Sequence, residues 1–144
     1  MDDDQNLAVT ELIHQVRFGL RVDRLGTWSE ELEGIQLLDL HILKLVAEHP
    51  EIILKEIRIE LGIPHSTLTS AINRLEKRGL LQRIINKRDL RSYGLELTDH
   101  GWHIRREHNR VDRLVAATVL EALSDDHERE MLVLLLSKIN KKLA

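Results

Sequence analysis

The segment from Pro64 to Gly101 constrains the fold more than any other part of this sequence. Its first half has apolar residues at helical spacing, which predicts an amphipathic helix that begins near a proline and ends near Gly79. Its second half has two runs of alternating apolar and polar residues, 81–85 and 93–97, around a polar turn. Such alternation predicts a β-hairpin. The residues of the helix that we expect in the core are Leu68, Ala71, Ile72 and Leu75.

Helical patterns surround this segment. They predict a long first helix that ends near Gly26, a second that ends before Pro50 and a short third that ends at Gly62. We expect the fourth helix to have Ser66 or His65 at its N-cap, and the fifth to begin after Thr98. A sequence resembling a capping box, from 124 to 128, opens a sixth.

The element order predicts a mainly α fold with a small β-hairpin wing. It is a winged helix-turn-helix flanked by N- and C-terminal dimerisation helices. The predicted divisions are 1–36 for the N-terminal dimerisation helix and loop, 37–98 for the winged helix-turn-helix and 99–144 for the C-terminal dimerisation helices. The flanking helices carry more apolar residues than one small centre can cover, so we expect a partner chain to cover them.

Composition excludes several classes of protein. A chain of 144 residues without cysteine has no disulfide, thiolate zinc site or thiol redox centre. No apolar run approaches the ~20 residues of a membrane span, and the acidic N-terminus lacks an apolar leader, so we expect a cytoplasmic protein. The sequence has no glycine-rich phosphate loop, Gly-x-Ser-x-Gly or cysteine nucleophile, so we do not expect an enzyme.

The charge is distributed unevenly along the chain. The net charge is −3, yet residues 54–98 carry nine basic and five acidic side chains. The remainder of the chain therefore carries −7. A basic centre between acidic arms favours contact with phosphates at one surface only, although solvated helices also carry charge without any such role.

The fourth helix has a small polar face opposite its apolar one. Short hydroxyl side chains there would let the backbone approach a duplex closely, Asn73 could pair with adenine, and Arg74 could contact guanine or phosphate. An ordinary amphipathic helix is the alternative interpretation. The candidate DNA-binding residues of the helix and the following hairpin are Ser66, Thr67, Thr69, Ser70, Asn73, Arg74, Lys87, Arg88, Asp89 and Arg91.

The hairpin turn carries two arginines on either side of an aspartate, in the order Arg88-Asp89-Leu90-Arg91. The carboxylate could hold an arginine in an extended conformation through a bidentate bond. An arginine ordered in this way is suited to a narrow, electronegative minor groove. A charged turn without a target is the alternative.

The stretch from about Leu37 to Gly101 resembles the winged helix of the MarR (multiple antibiotic resistance regulator) family, and the flanking helices are similar to its layout. The resemblance rests on Ser66-Thr67-Leu68, on residues 73–80, on Arg88-Asp89-Leu90-Arg91 and on residues 95–101. It implies a homodimeric regulator of transcription, usually a repressor, bound to double-stranded DNA at a pseudo-palindromic site. It also implies that Arg91 is the minor-groove arginine and Asp89 its orienting partner. Asn86 and Ser70 depart from residues common in the family.

A resemblance to the zinc-sensing branch of the same family suggests a metal site. His41 and His108 fall at positions where that branch has ligands, and Asp23 and Asp112 fall at two more. His108 and Asp112 are four residues apart and would share a helix face. Two imidazoles and two carboxylates could complete a zinc sphere without cysteine. Solvated helix charge, with a half-buried His41, is the alternative.

Most members of the family instead bind small aromatic or lipophilic acids between the dimerisation helices and the winged helix. By that resemblance Trp28, Leu32, Leu40 and Trp102 could line an effector pocket, although each could equally be a packing residue. The protein would then be a repressor released or tuned by a small ligand or metal. A second functional class remains open, since a winged helix can bind only protein, and the negative net charge mildly favours that class.

Overall fold

The protein is described here by a computed structural model that covers residues 2–144, so Met1 of the predicted N-terminal segment lies outside the described residues. The chain divides into two compact units, one up to Asn109 and one from Arg110 to Ala144. The helices are α1 (Asp3–Leu20), α2 (Leu37–Glu48), α3 (Leu54–Leu61), α4 (His65–Lys77), α5 (Asp99–Glu121) and α6 (Asp126–Leu143). Two strands, β1 (Leu81–Ile85) and β2 (Tyr93–Leu97), lie between α4 and α5. The predicted fold class is confirmed.

The turn between α3 and α4 follows from two residues with restricted or unusual backbone freedom. Gly62 ends α3 in the left-handed conformation, with φ of 61°, and its N–H donates to carbonyls of the last turn. Pro64 is the N-cap of α4, with φ of −71° and ψ of 161°. The prediction of Ser66 or His65 at this cap was wrong by one or two residues. Proline at the N-cap removes one of the N–H groups that a first turn leaves unpaired, and its fixed φ suits the start of a helix at His65.

The hairpin has the predicted bounds and an antiparallel register that pairs Leu81 with Leu97 and Ile85 with Tyr93. Leu81, Leu95 and Leu97 are buried, while Gln82 and Glu96, which are paired with each other and alternate with these leucines, are exposed. One face of the hairpin therefore closes the core and the other faces solvent.

The core of the first unit is aliphatic, as the scarcity of aromatic residues requires. Its fully buried members, each with no more than 1 % of the residue exposed, are Leu32, Leu40, Ile42, Leu43, Ile57, Leu68, Ala71, Ile72, Leu75, Leu80 and Leu95. All four apolar residues predicted for α4 are among them. Burial of this face fixes which side of α4 is presented to solvent.

The start of α5 packs very closely on the hairpin. The Thr98 hydroxyl accepts from the Gly101 N–H at 3.0 Å and donates to the Gly79 carbonyl at 2.5 Å, which confirms the predicted N-cap. A Cβ built on Gly101 would lie 2.0 Å from the Leu80 carbonyl oxygen. Only glycine lets the helix approach the chain at this point.

The first helix is shorter than predicted. It ends at Leu20, and Arg21 follows in the left-handed conformation with φ of 51°. The chain then turns through two short 3₁₀ segments, Leu25–Thr27 and Glu30–Leu32, and Trp28 donates its indole N–H to the Leu20 carbonyl at 2.7 Å. Leu25 therefore belongs to the core through a 3₁₀ turn and not through α1.

The predicted capping sequence of α6 is confirmed. The Asp125 carboxylate accepts from the Glu128 N–H at 2.8 Å, and the Glu128 carboxylate accepts from the Ser124 N–H at 2.6 Å. The reciprocal bond reaches one residue beyond the N-cap, but it satisfies the same orphan donors as a capping box.

Two helices expose large apolar side chains. Neither α1 nor α6 has any buried residue. The exposed apolar residues of α1 are Leu7, Val9, Leu12, Ile13, Val16 and Phe18. Those of α6 are Met131, Val133, Leu134, Leu135, Leu136, Ile139 and Leu143. In the described part of the chain, no helix combines the length and the apolar character that crossing a membrane requires.

Candidate nucleic-acid interface

The outward face of α4 carries small polar side chains. Ser66, Ser70 and Asn73 are exposed, and Thr67 and Thr69 are partly so. Beside this face lies a shallow depression of about 260 Å³, lined by Gln36, Leu38, Ser66, Thr67, Ser70 and Arg74. A helix with short side chains and an open neighbouring depression can approach a duplex without steric obstruction.

The Arg74 side chain forms an ion pair with Asp39 of α2. Its Nε donates to Asp39 Oδ2 at 3.0 Å and its Nη2 to Asp39 Oδ1 at 2.5 Å, so the pair is bidentate. The Asp39 side chain is 1 % exposed and that of Arg74 is 35 % exposed. The bond to Asp39 raises the pKa of the guanidinium. Arg74 was predicted to contact a base or a phosphate, and its pairing with Asp39 was not predicted. The geometry gives Arg74 a structural role between α2 and α4.

Asn86 organises the beginning of the wing. Its side chain is nearly buried, and its Oδ1 accepts from the backbone N–H of Arg88 at 2.8 Å and of Asp89 at 3.0 Å. This arrangement is an Asx-type turn, in which the side chain takes the place of a backbone acceptor. The residue that departs from the family pattern therefore has a definite local function here.

Arg88 fastens the wing to α3. Its guanidinium donates to both carboxylate oxygens of Glu56, at 2.8 and 2.9 Å. The same carboxylate accepts from the Ile53 N–H at 3.1 Å at the start of α3. The bonds from Arg88 and from Ile53 lower the pKa of Glu56, and Glu56 in turn raises the pKa of Arg88. We call this pair, Arg88 with Glu56, the wing clamp.

Arg91 reaches into solvent at the tip of the wing. The Asp89 carboxylate accepts from its backbone N–H at 3.1 Å and lies 3.4 Å from its Nε. The Arg91 side chain is 93 % exposed. Asp89 thus lies beside Arg91, where an orienting carboxylate was expected, and neighbouring Lys87 is also exposed.

Arg83, on β1, joins the hairpin to α4. Its Nη2 donates to Asn73 Oδ1 at 2.8 Å, its Nε donates to Glu76 at 2.6 Å, and its guanidinium lies 4.5 Å from the centre of the Tyr93 ring. This residue was not among those predicted for the site. In the observed register Arg83 lies diagonally across from Tyr93, a distance that long side chains can bridge.

Several basic side chains of residues 54–98 form ion pairs or hydrogen bonds within the protein. Arg74, Arg83 and Arg88 pair with carboxylates, and Arg78 donates to the carbonyls of Gly34 and Glu33. The other exposed basic side chains of this range are Lys55, Lys77, Lys87 and Arg91, and two of them, Lys87 and Arg91, belong to the wing. Part of the electrostatic contribution to any duplex contact would therefore come from the wing.

The four residues predicted as metal ligands differ in exposure. Among residues 2–144, no group of three or more His, Asp or Glu side chains could hold a metal ion. Asp23, His41 and Asp112 are exposed and His108 is buried. Two further acid or histidine residues of α5 have partners in the loop after α1: Glu107 accepts from Ser29 at 2.5 Å, and His103 contacts Glu31.

The predicted effector residues have different environments. Leu32 and Leu40 are fully buried core residues, Trp28 is partly buried at the end of α1, and Trp102 is 44 % exposed. None of them lines the depression beside α4, a cleft of about 920 Å³ next to the wing clamp, or a smaller cavity of about 200 Å³ at the base of the wing.

Comparison with known proteins relates part of this geometry to a protein family. The sequence profile of the MarR family matches residues 35–93. This range contains α2 to α4, β1 and the wing turn. A search of curated proteins found no match.

Solved structures share the fold over nearly the whole chain. FabT from Streptococcus pneumoniae, in a complex with DNA, has a TM-score of 0.78 at 21 % identity, covering 97 % of this chain and 95 % of that one. YusO from Bacillus subtilis has a TM-score of 0.74 at 23 % identity, covering 98 % and 99 %. The transcriptional regulator BldR from Sulfolobus solfataricus has a TM-score of 0.66 at 26 % identity, covering 99 % and 98 %.

Proposed function

We propose that this chain is a MarR-type, sequence-specific regulator of transcription that binds double-stranded DNA, because the family profile matches residues 35–93 and solved regulators share its fold. One observation carries the proposal. A solvent-exposed arginine, Arg91, stands at the tip of a wing whose base is fastened, next to a helix with a small polar outward face. The helix would enter the major groove and Arg91 the adjacent minor groove.

The protein would act as a two-fold dimer built from α1, α5 and α6. The support is the row of large apolar side chains that α1 and α6 each expose, because monomeric proteins rarely leave so much apolar surface in water. A two-fold axis would place two copies of α4 about 34 Å apart on one face of a pseudo-palindromic site. Sedimentation at micromolar concentration should therefore give a dimer, and a monomer would contradict the proposal.

Repression with release by a ligand is the finer part of the proposal. A dimer seated across a promoter would exclude polymerase, and a small aromatic or lipophilic ligand would change the spacing of its α4 helices. One relative with the same fold, PcaV from Streptomyces coelicolor, was solved with its natural ligand, at 19 % identity over 94 % of this chain. Zinc at Asp23, His41, His108 and Asp112 stays a separate prediction. Zinc titration of chelator-stripped protein tests it, with His108→Ala as the comparison.

Selection from random duplexes, followed by binding measurements at several salt concentrations, tests the main proposal. We expect one enriched pseudo-palindromic sequence, bound with an affinity that falls steeply with salt because displaced counterions are released. A winged helix that binds only protein would enrich no sequence and would show no salt-dependent binding to any duplex.

Arg91→Ala should weaken binding to the selected duplex by about 1–3 kcal/mol, the range for one good groove contact. Stability should not change, because the side chain is almost wholly exposed. Titration at fixed salt measures the effect, and Lys142→Ala on α6 removes the same charge far along the chain as a matched control. Equal affinities for the two variants would show that the wing tip does not touch DNA.

A further inference from the structure

Asn73 is the one amide side chain on the outward face of α4, and its orientation is determined by its neighbour. Arginine has only hydrogen-bond donors, so the atom of Asn73 that faces Arg83 must be the oxygen, Oδ1, which accepts at 2.8 Å. The amide nitrogen, Nδ2, therefore lies on the other branch of the side chain. Asn73 presents two N–H donors to whatever approaches α4.

Arg83 is itself held firmly enough to impose this orientation. Glu76, one turn after Asn73 on α4, accepts from Arg83 Nε at 2.6 Å, and the Tyr93 ring lies under the guanidinium at 4.5 Å. With Asn73, Arg83 therefore has three partners: two lie on α4 and one, Tyr93, lies on β2. Rotation of the Asn73 amide by 180° would bring Nδ2 against a guanidinium and break a charge-assisted bond.

This arrangement conflicts with the usual pairing of asparagine and adenine. That pairing uses the side-chain oxygen to accept from adenine N6 and the nitrogen to donate to N7. In this protein Oδ1 already accepts from Arg83, and the guanidinium beside it disfavours the approach of a second donor such as adenine N6. The two Nδ2 donors match guanine, which presents the acceptors O6 and N7 side by side, and thymine, which presents O4. Adenine presents only one acceptor, N7, next to the N6 donor.

We propose that Asn73 reads a keto base, guanine or thymine, through its Nδ2 donors, and that Arg83 is the positioning residue that sets this preference. The inference rests on the proposed function, since it requires α4 to lie in a major groove. It replaces the expectation of adenine recognition drawn from the sequence alone. Arg83 need not touch DNA to determine which base is chosen.

Selection from random duplexes with wild-type protein and four variants tests the inference. The wild type should enrich guanine or thymine at one symmetric pair of positions, with about tenfold discrimination against adenine, and Asn73→Ala should lose the preference there alone. Asn73→Asp keeps an acceptor for Arg83 but replaces the donors with a second acceptor. It should therefore invert the preference toward the amino bases, cytosine and adenine. Both Asn73 changes are on an exposed side chain and should not disturb folding.

Two variants address the positioning role. Arg83→Met frees Oδ1 and should shift the same position toward adenine, whereas Glu76→Gln retains an acceptor for Arg83 and should leave the preference unchanged. Circular dichroism checks that both fold. If Arg83→Met is unfolded, the Asn73→Asp result decides.

The outcomes separate this inference from the proposed function. Adenine at the Asn73-dependent position of the wild-type motif, or an Asn73→Asp motif identical to the wild-type one, overturns the inference while DNA binding stands. Failure of the wild type to enrich any sequence overturns both.

Discussion

Arg74→Ala should lower the free energy of unfolding by about 3–5 kcal/mol, the range for removing one partner of a buried ion pair. The substitution leaves the Asp39 carboxylate, which is 1 % exposed, without the two bonds that Arg74 donates to it. The position of Asp39 in the first turn of α2 offsets a part of this cost, because the helix dipole favours a negative charge there. Urea denaturation at fixed protein concentration measures the change.

The opposite truncation provides the control. Asp39→Ala leaves Arg74, whose side chain is 35 % exposed and can turn toward water, so we expect a smaller loss of about 1–3 kcal/mol. The double variant should be no less stable than Arg74→Ala, because the buried charge is then gone. If Arg74→Ala unfolds within about 0.5 kcal/mol of the wild type, the pair is not structural, and any loss of DNA affinity is due to a direct contact.

Gly101→Ala should lower the free energy of unfolding by about 3 kcal/mol, near the upper end of the usual range for overpacking. The added methyl group would lie 2.0 Å from the Leu80 carbonyl oxygen and 3.3 Å from the Cβ of Leu97. The atom it meets is backbone and cannot swing aside, so α5 must shift away from the hairpin. This loss exceeds the gain of about 1 kcal/mol that alanine brings to a helix interior.

The same substitution at Gly19 is the matched control. Gly19 lies in α1, and a Cβ built there meets nothing within 4 Å. Gly19→Ala should therefore raise stability by up to about 1 kcal/mol, opposite in sign to the change at Gly101. Thermal and urea unfolding of the two variants compare them directly. If Gly101→Ala is not less stable than Gly19→Ala, α5 does not approach the hairpin as closely as described.

The parts of this fold that the sequence predicts are those determined by neighbouring residues. The hairpin bounds were correct because alternation fixes which residues face the core, and a slip of one residue would expose Leu95 and Leu97. The caps at Thr98 and Asp125 were recognisable because each bonds within four residues. The end of α1 was missed because Arg21, and not a glycine, takes the left-handed conformation there.

The candidate site was only partly predictable because its residues depend on distant partners. The residues of the wing turn were found from their order, and Asp89 lies beside Arg91 as that order suggested. Asp39 lies 35 positions before Arg74, in an otherwise apolar stretch, and no local pattern connects the two. Nothing along the chain indicates that Arg83 takes the oxygen of Asn73. Packing of the hairpin on α4 decides which polar groups remain for DNA.

The wing clamp also determines whether the wing loses its conformational entropy on folding or on binding DNA. A free hairpin tip would lose about 1–2 kcal/mol of conformational freedom for each residue fixed in a groove. Here Arg88 is already bound to Glu56, and Asn86 already holds the backbone of the turn, before any duplex arrives. The backbone of the turn is therefore ordered during folding, and what remains to be lost on binding is mainly the freedom of exposed side chains such as Arg91 and Lys87. Association by a wing ordered in this way should proceed with little structural rearrangement.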